Sequence, residues 1–140
     1  MSLFSVFSIS GSGMIAEQQR LTAVASNLAN ANSMGDSTGQ PYRAREVVFE
    51  PLPADPGDSD GVSGVGMGGV RVAGVMQSTE PGREIYDPGN PQADDKGYVQ
   101  MPNVNTTDEM VNMISAQKNY QADLEAFNVA KTLIQKTLTI

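Results

Sequence analysis

The residues that break helices are confined to the middle of this chain. All 8 prolines lie between Pro41 and Pro102, and 12 of the 14 glycines lie between Gly35 and Gly97. Because proline removes a backbone donor and glycine favours turns, long helices are restricted to the two ends. The sequence therefore predicts three segments, namely an N-terminal helix in 1–34, a Gly/Pro-rich middle in 35–105 and a C-terminal helix in 106–140.

Side chains that support catalysis are scarce. The chain has no His and no Cys, which excludes disulfides, thiolate nucleophiles, a Ser-His-Asp triad and metal sites built on His or Cys. We therefore predict no enzyme, no cofactor, no metal and no small-molecule substrate. A net charge of -7 with only 9 scattered Lys and Arg also argues against nucleic acid as a partner.

The sequence carries no sign of a membrane anchor or of a cleavable export signal. No run of about 18 apolar residues exists, so no membrane span is predicted. The first basic residue is Arg20, whereas a secretory signal peptide begins with a positively charged region. If the protein leaves the cytoplasm, we expect it to use a route without a cleavable signal peptide.

Two motifs in the middle resemble ligand sites but lack the required context. Gly64–Gly69 contains G-x-G-x-x-G, yet a dinucleotide site needs a strand before it and a helix after it, and here a loop precedes and a strand follows. Asp55, Asp58 and Asp60 hint at a calcium loop, but their spacing does not fit. We interpret both motifs as parts of a mobile loop over 53–69.

The rest of the middle segment is predicted to be a small β module. It holds 11 acidic and 5 basic residues, so most of the net negative charge belongs to this module. Short runs that fit strands are separated by Pro, Gly and Asp turn signals. The four predicted strands are Ala44–Glu50, which Pro51 ends, Gly69–Ser78, Glu84–Tyr86 and Tyr98–Met101.

The C-terminal segment has the pattern of one long helix. Thr106 followed by Glu109 predicts a capping box at its start. Residues suited to a helix–helix seam then recur at alternating steps of three and four for about four heptads. The predicted seam residues are Met110, Met113, Gln117, Tyr120, Leu124, Phe127, Lys131, Ile134 and Leu138.

The N-terminal segment repeats this pattern more weakly. Its stronger row, at intervals of seven, is Phe7, Met14, Leu21 and Leu28, and its weaker companion row is Phe4, Gly11, Gln18 and Ala25. Gly11 and Gly13 are expected to fray or kink the helix. The predicted fold is thus mainly α with a small inserted β module, in which the terminal helices pair as an antiparallel coiled-coil-like hairpin.

The N-terminal segment carries little charge for a helix that faces water. Within 1–34 only Glu17 and Arg20 are charged, whereas the exposed face of a helix on a soluble monomer is normally polar and charged. Small neutral side chains at the positions outside the predicted seam allow neighbouring helices to approach closely. We therefore favour burial among neighbouring chains. The alternative is a soluble monomeric helical-hairpin adaptor that binds a partner helix.

Four stretches of the chain resemble the bacterial flagellar rod and hook proteins. The Asn-rich run Ala25–Ser33 resembles the N-terminal signature of that family, and Pro41–Ala44 stands where the family continues with Gly-Tyr and a basic residue. The stretch Gly97–Met110 and the run Ala116–Ala122 in the last helix are also similar. The insertion Met34–Gln40 suits the proximal rod type.

The resemblance implies a structural subunit of the flagellar basal-body proximal rod. Members of this family are exported through the flagellar type III apparatus. Their terminal helices pack with copies of the same chain and with other rod proteins around a hollow axis, which crosses the periplasm and transmits torque for motility. The resemblance also implies that the β module lies outward.

The residues expected at the assembly interface come from both helices and from the Asn-rich run. Asn27 and Asn30 are expected to satisfy polar groups at the end of the first helix, either within the chain or across to a neighbour. The predicted interface residues are Phe7, Met14, Leu21, Asn27, Leu28, Asn30, Tyr42, Met113, Tyr120, Leu124, Phe127 and Ile134.

Overall fold

Two long helices enclose a small β module in the order of the chain. The computed structural model describes residues 3–34, 40–52 and 68–138. The elements are α1 (Leu3–Asn30), β1 (Arg45–Leu52), β2 (Gly69–Gln77), β3 (Glu84–Tyr86), β4 (Tyr98–Gln100) and α2 (Thr106–Leu138). The predicted fold class, mainly helical with a β insertion, is confirmed. The predicted mobile loop over 53–69, including Asp55, Asp58, Asp60 and most of the Gly-rich motif, lies outside the described residues apart from its last two positions.

The two helices pair antiparallel, as the seam pattern predicts. Contacts join Phe7 to Phe127, Glu17 to Asn119 and Asn27 to Glu109, so positions ascend on α1 as they descend on α2. With 33 residues, α2 is about 50 Å long at about 1.5 Å per residue. The contacts between the two helices therefore extend along α1 from Phe7 to Asn27.

Helix α1 does not break at its two glycines. It continues from Leu3 through Gly11 and Gly13 to Asn30, so neither glycine interrupts the helix. The helix ends after Asn30, whose carbonyl oxygen accepts bonds from the Ser33 amide at 3.1 Å and the Ser33 hydroxyl at 2.8 Å. These local bonds satisfy a backbone acceptor that the helix end would otherwise leave free.

The start of α2 is capped by a different residue from the one predicted. Asn105 is the N-cap, because its Oδ1 accepts a bond from the Thr107 amide at 3.1 Å and its backbone oxygen accepts one from the Glu109 amide at 3.0 Å. The Thr106 capping box is therefore wrong. The Glu109 carboxylate instead accepts a bond from Asn27 on α1, and Asn caps a helix as well as Thr does.

Strands β1 and β2 form an antiparallel hairpin that lies along α1. The register runs from Arg45 opposite Gln77 to Leu52 opposite Gly69, with a β-bulge next to Val48. β1 continues through Pro51, contrary to the prediction. A proline is tolerated there because each strand of a two-stranded sheet is an edge strand, whose outer side needs no donor.

The two ends of this hairpin are attached to α1 far apart. Ser12 Oγ accepts a bond from the Val70 amide at 3.1 Å, and Asn27 bonds to Arg45 at the other end. The stretch of α1 between these attachments is about 22 Å long, and β1 spans about 23 Å. The matching lengths hold the hairpin parallel to the helix axis.

The small apolar core lies where α1 ends and α2 begins. Ala31, Ala44 and Val104 are buried together, and Tyr42 packs against them. The second strand pair, β3 with β4, is short, and its rings Tyr86 and Tyr98 meet edge to face at 5.3 Å. Besides the attachment of β1 and β2 along α1, the β module thus packs on the helix pair through this small core at one end.

Candidate assembly interface

Asn27 is buried at the junction of α1, β1 and α2. It is only 1% exposed. Its Nδ2 donates to the Arg45 carbonyl oxygen at 2.9 Å and to Glu109 Oε2 at 3.0 Å. Its Oδ1 accepts from the Arg45 amide at 2.8 Å and from the Tyr42 hydroxyl at 3.0 Å. We call Asn27, Tyr42, Arg45 and Glu109 the Asn27 cluster.

The Asn27 cluster uses every hydrogen-bonding position of the buried amide. An Asn side chain offers two donors and two acceptor lone pairs, and all four are engaged. A buried amide is costly unless it is satisfied, so this arrangement stabilises only one relative position of the three elements. The Arg45 guanidinium also lies 5.8 Å from the centroid of the Tyr42 ring, within the range of a cation–π contact.

Asn30, the other predicted Asn, has a local role. Its Nδ2 donates to the Ser26 carbonyl oxygen one turn earlier, at 2.8 Å, so it closes the last turn of α1. The Ser26 hydroxyl is 3.1 Å from the Tyr42 hydroxyl. For both Asn27 and Asn30 the structure shows hydrogen bonds to groups of the same chain.

On α2, half of the predicted seam faces α1 and the other half does not. Met113, Tyr120, Phe127 and Ile134 are half-buried, whereas the predicted alternates Met110, Gln117, Leu124, Lys131 and Leu138 are exposed. The row that completes the buried face is Glu109, Ala116, Asp123 and Ala130. The prediction for these alternates is therefore wrong by one position along α2. Small buried alanines allow the two helices to approach closely, and the larger side chains lie beside this line of contact.

On α1, the companion row is also displaced by one residue. Phe7, Met14, Leu21 and Leu28 are half-buried, as expected for seam positions. The buried companions are Ser10, Glu17, Val24 and Ala31, whereas the predicted Gln18 and Ala25 are exposed. The residue types alone do not separate the two rows, because the predicted Gly11, Gln18 and Ala25 are also small or polar.

The seam combines one aromatic contact with a polar stretch. The rings of Phe7 and Phe127 meet edge to face, with centroids 4.6 Å apart. Further along, Asn119 Nδ2 donates to Glu17 Oε1 at 3.0 Å. Asp123 lies against Gly13, and burial first and the Glu17 carboxylate second raise the pKa of Asp123.

The C-terminal half of α2 exposes apolar side chains that nothing in the described chain covers. Leu124 is 40% exposed, Val129 55% and Leu133 48%, and we call these three residues the α2 strip. Shallow grooves lie on both sides of Val129 and Leu133, one of them reaching Val6 on α1. Val129 and Leu133 are one turn apart and form neighbouring exposed apolar side chains, whereas Leu124 lies about half a turn round the helix from Leu133. Apolar side chains exposed at these positions are available to a partner chain.

The described residues gather no set of groups suited to metal chemistry. Within 3–34, 40–52 and 68–138, no three His, Cys, Asp or Glu side chains cluster as metal ligands. Over the same ranges, neither helix combines the length and the apolarity needed to cross a membrane. The arrangement that stands out is instead a helix pair with a fixed register and an uncovered apolar strip.

Two family models match the two helical ends of the chain. One describes flagella basal body rod proteins and covers residues 7–35. The other describes the C-terminal region of flagellar basal body rod FlgEFG proteins and covers residues 95–140. Neither model describes a catalytic family. The helix pair is thus of the class found in flagellar basal-body rod proteins.

Relatives similar along their whole length narrow the class further. The flagellar basal-body rod protein FlgC of Yersinia enterocolitica is 51% identical over 140 residues, covering 100% of this chain and 98% of the relative. FlgC of Salmonella typhimurium is 47% identical over the same span and shares of length. FlgC of Borreliella burgdorferi is 35% identical over 152 residues, again with 100% and 98% covered. The chain belongs to the FlgC family of flagellar basal-body rod proteins.

Proposed function

We propose that this chain is a structural subunit of the proximal rod, polymerising through its terminal helices into the hollow driveshaft that transmits torque for motility. Its partners are copies of itself and other rod proteins, and it acts as a scaffold with no catalytic role. It crosses the inner membrane through the flagellar type III export apparatus, and it is assembled in the periplasmic space.

The observation that carries this proposal is the α2 strip. Leu124, Val129 and Leu133 lie on one long helix and remain 40–55% exposed, although the chain has a partner helix of its own. Burying apolar surface contributes about 25 cal/mol per Å². Contacts repeated between many copies would therefore stabilise a polymer, while a single chain exposes the same surface to water.

The Asn27 cluster supports the proposal in a different way. Subunits of a shaft that transmits torque must keep one shape under load. A fully satisfied buried amide connecting three elements opposes sliding of the helices against each other. In this proposal Asn27 and Tyr42 hold the helix pair in a geometry that neighbours can pack on. The half-buried seam residues and Leu124 then supply the contacts between subunits.

A charge placed in the α2 strip tests the proposal. Leu124→Asp would bury an unpaired carboxylate in every contact between subunits, which costs several kcal/mol at each of them. We expect a strain carrying this variant as its only copy to be non-motile. Because Leu124 is already 40% exposed, the purified variant is expected to retain the helix content of the parent chain, measured by circular dichroism.

A conservative variant provides the control for this experiment. Leu124→Met preserves side-chain volume and apolarity, and such exchanges cost less than about 1.5 kcal/mol. We expect that strain to swim normally. A motile Leu124→Asp strain would remove the assignment of the α2 strip to the subunit interface.

The monomeric adaptor is the less favoured alternative. The family models cover both helices as parts of rod proteins, and the rod reading also accounts for the low charge of α1. Limited proteolysis of the purified chain separates the two. The rod subunit is expected to have protease-sensitive ends before assembly, whereas an adaptor would be a protease-resistant monomer.

A further inference from the structure

Arg43 and Arg45 lie in the wall of one cleft, beside the end of α1. This cleft, which we call the arginine cleft, has a volume of about 350 Å³ and is also lined by Ser33 and Gln77. No acidic residue of the described chain lies in its wall. Since segment 35–105 carries 11 acidic and 5 basic residues, the cleft is a positive site in an otherwise negative module.

The structure positions both guanidinium groups without neutralising them. The Arg45 guanidinium lies 5.8 Å from the centroid of the Tyr42 ring, and the Arg45 backbone is bonded to Asn27. Arg43 Nη1 lies 3.5 Å from the Ser78 carbonyl oxygen. Neither arginine forms an ion pair with an acidic residue of the described chain. Because guanidinium groups bind carboxylates in a fixed fork geometry, the cleft suits carboxylates that come from another chain.

A pair of glutamates lines a neighbouring cleft. Glu80 and Glu84 are exposed in the wall of a cleft of about 290 Å³, which we call the glutamate cleft. It shares the segment 41–43 with the arginine cleft. The Glu80 backbone is anchored there, because its amide donates to Ser78 Oγ at 3.3 Å and its carbonyl oxygen accepts from Asn103 at 3.0 Å. The two carboxylates are therefore presented together from a fixed backbone.

Most other acidic side chains of the described chain already have a partner or line neither cleft. Hydrogen bonds engage the carboxylates of Glu17, Glu50, Asp94, Asp108 and Glu109. Among the exposed acids with no such bond, Glu80 and Glu84 line one cleft together. Their pairing on one surface, rather than their exposure alone, matches the pair of arginines.

We propose that Glu80 and Glu84 of one copy bind the arginine cleft of a second copy. This inference rests on the proposed function and names a contact between its subunits. Two carboxylates then balance two guanidinium groups. Because the two clefts are different surfaces, the contact is head to tail and can continue from copy to copy. An exposed ion pair contributes little alone, but opposite charges repeated at each contact fix how neighbours are oriented.

The test must separate a contact between copies from an ion pair within one chain, because Arg43 also lines the glutamate cleft of its own chain. Two variants reverse one cleft each. Arg43→Glu with Arg45→Glu makes the arginine cleft acidic, and Glu80→Arg with Glu84→Arg makes the glutamate cleft basic. Each variant, as the only copy in a strain, brings like charges together at every contact, so we expect both strains to lose swimming.

Co-expression of the two variants in one strain is the decisive arm. The acidic arginine cleft of the first variant then meets the basic glutamate cleft of the second, and we expect swimming to return. Mixing cannot restore an ion pair within one chain, since neither variant contains both charges. If the mixed strain does not swim, or if either variant swims on its own, the contact between copies is wrong.

A control keeps the effect of net charge apart from that of the cleft. Arg71→Glu with Lys96→Glu changes the charge of the same module by the same amount, at two exposed positions outside both clefts. We expect this strain to swim. If it does not, the change in net charge explains the loss and the inference fails.

Circular dichroism of the purified variants checks that each retains the helix content of the parent chain. If a reversal variant loses helix content, Arg43→Gln with Arg45→Gln replaces it and is expected to reduce swimming. Normal swimming of that folded neutral variant would overturn the inference.

The outcomes distinguish this inference from the proposed function. If Leu124→Asp is non-motile while the strain with Arg43→Glu and Arg45→Glu swims normally, the rod role stands and the contact between the clefts is wrong. A motile Leu124→Asp strain removes the assignment of the α2 strip, whatever the cleft variants do.

Discussion

The two ends of the helix pair differ in how much of their surface is satisfied within the chain. At the closed end, where α1 finishes beside the start of α2, Asn27 is 1% exposed and the core of Ala31, Ala44 and Val104 is buried. At the open end, beyond the Phe7–Phe127 contact, α2 extends past the described start of α1. There Leu133 is 48% exposed and Leu138 81%.

This difference separates the residues that define shape from those that are available to partners. At the closed end the buried amide of Asn27 is fully hydrogen-bonded beside the small apolar core, so directional hydrogen bonds specify the geometry there. The open end is apolar and uncovered, and apolar contacts are non-directional, so it can adapt to a neighbour. A subunit that must stack reproducibly benefits from having both kinds of end.

The comparison predicts its largest effect at Asn27. Asn27→Ala removes all four hydrogen bonds of the amide. The Arg45 backbone groups and the Glu109 carboxylate lose this partner, and the Tyr42 hydroxyl keeps only its contact with Ser26. Because each unsatisfied buried group costs about 1–3 kcal/mol, we expect the free energy of unfolding to fall by about 3 kcal/mol or more. Urea unfolding followed by circular dichroism measures this change.

Asn30→Ala is the control on the same turn of α1. It removes one bond, from Asn30 to the Ser26 carbonyl oxygen, at a half-buried position. We expect a loss of about 1 kcal/mol or less. Equal losses at Asn27 and Asn30 would mean that the closed end is not held by the Asn27 cluster.

A smaller effect is expected where the seam approaches the open end. Phe127→Ala removes the edge-to-face contact with Phe7, but the site is only half-buried. We therefore expect a loss of about 2 kcal/mol, below the usual cost of truncating a buried Phe.

In the same urea assay, Leu138→Ala should change stability by less than about 0.5 kcal/mol. A comparable loss at Leu138 would show that the open end is already packed in the single chain.

The sequence predicted the elements better than their contacts. The positions of Pro and Gly separated the two helices from the strands, and the row Met113, Tyr120, Phe127 and Ile134 was placed on the correct face of α2. The other half of that seam was missed by one residue, because apolarity pointed to Leu124 whereas helix approach selected small Ala116 and Ala130. The spacing of apolar residues does not indicate how closely a partner helix approaches, and close approach is what requires small side chains.

The candidate site shows the same limit at single residues. The Asn-rich run drew attention to Asn27, but its partners lie 15, 18 and 82 positions away in the chain, so only the fold brings them together. The local pattern of Thr106 followed by Glu109 predicts a capping box. The structure uses that carboxylate for Asn27 instead, and Asn105 caps the helix.

A further small effect is expected to separate the two glycines of α1. Replacing Gly by Ala within a helix stabilises it by about 0.5–1 kcal/mol, and at Gly11 nothing lies within 4 Å of an added Cβ, so Gly11→Ala should gain that amount. At Gly13 the Cβ would meet Asp123 Oδ2 at 2.5 Å, and moving that partly buried carboxyl away from α1 offsets the gain. We expect Gly13→Ala to be less stable than Gly11→Ala by about 1 kcal/mol, because tight packing resists an added methyl group.

Thermal unfolding of both variants and of Gly13→Ala combined with Asp123→Ala measures this difference. If the steric account is correct, shortening Asp123 restores the helix gain at Gly13. Equal stability of the two single variants would mean that the seam is loose as far as Gly13, and that the open end extends further along the hairpin than the Phe7–Phe127 contact suggests.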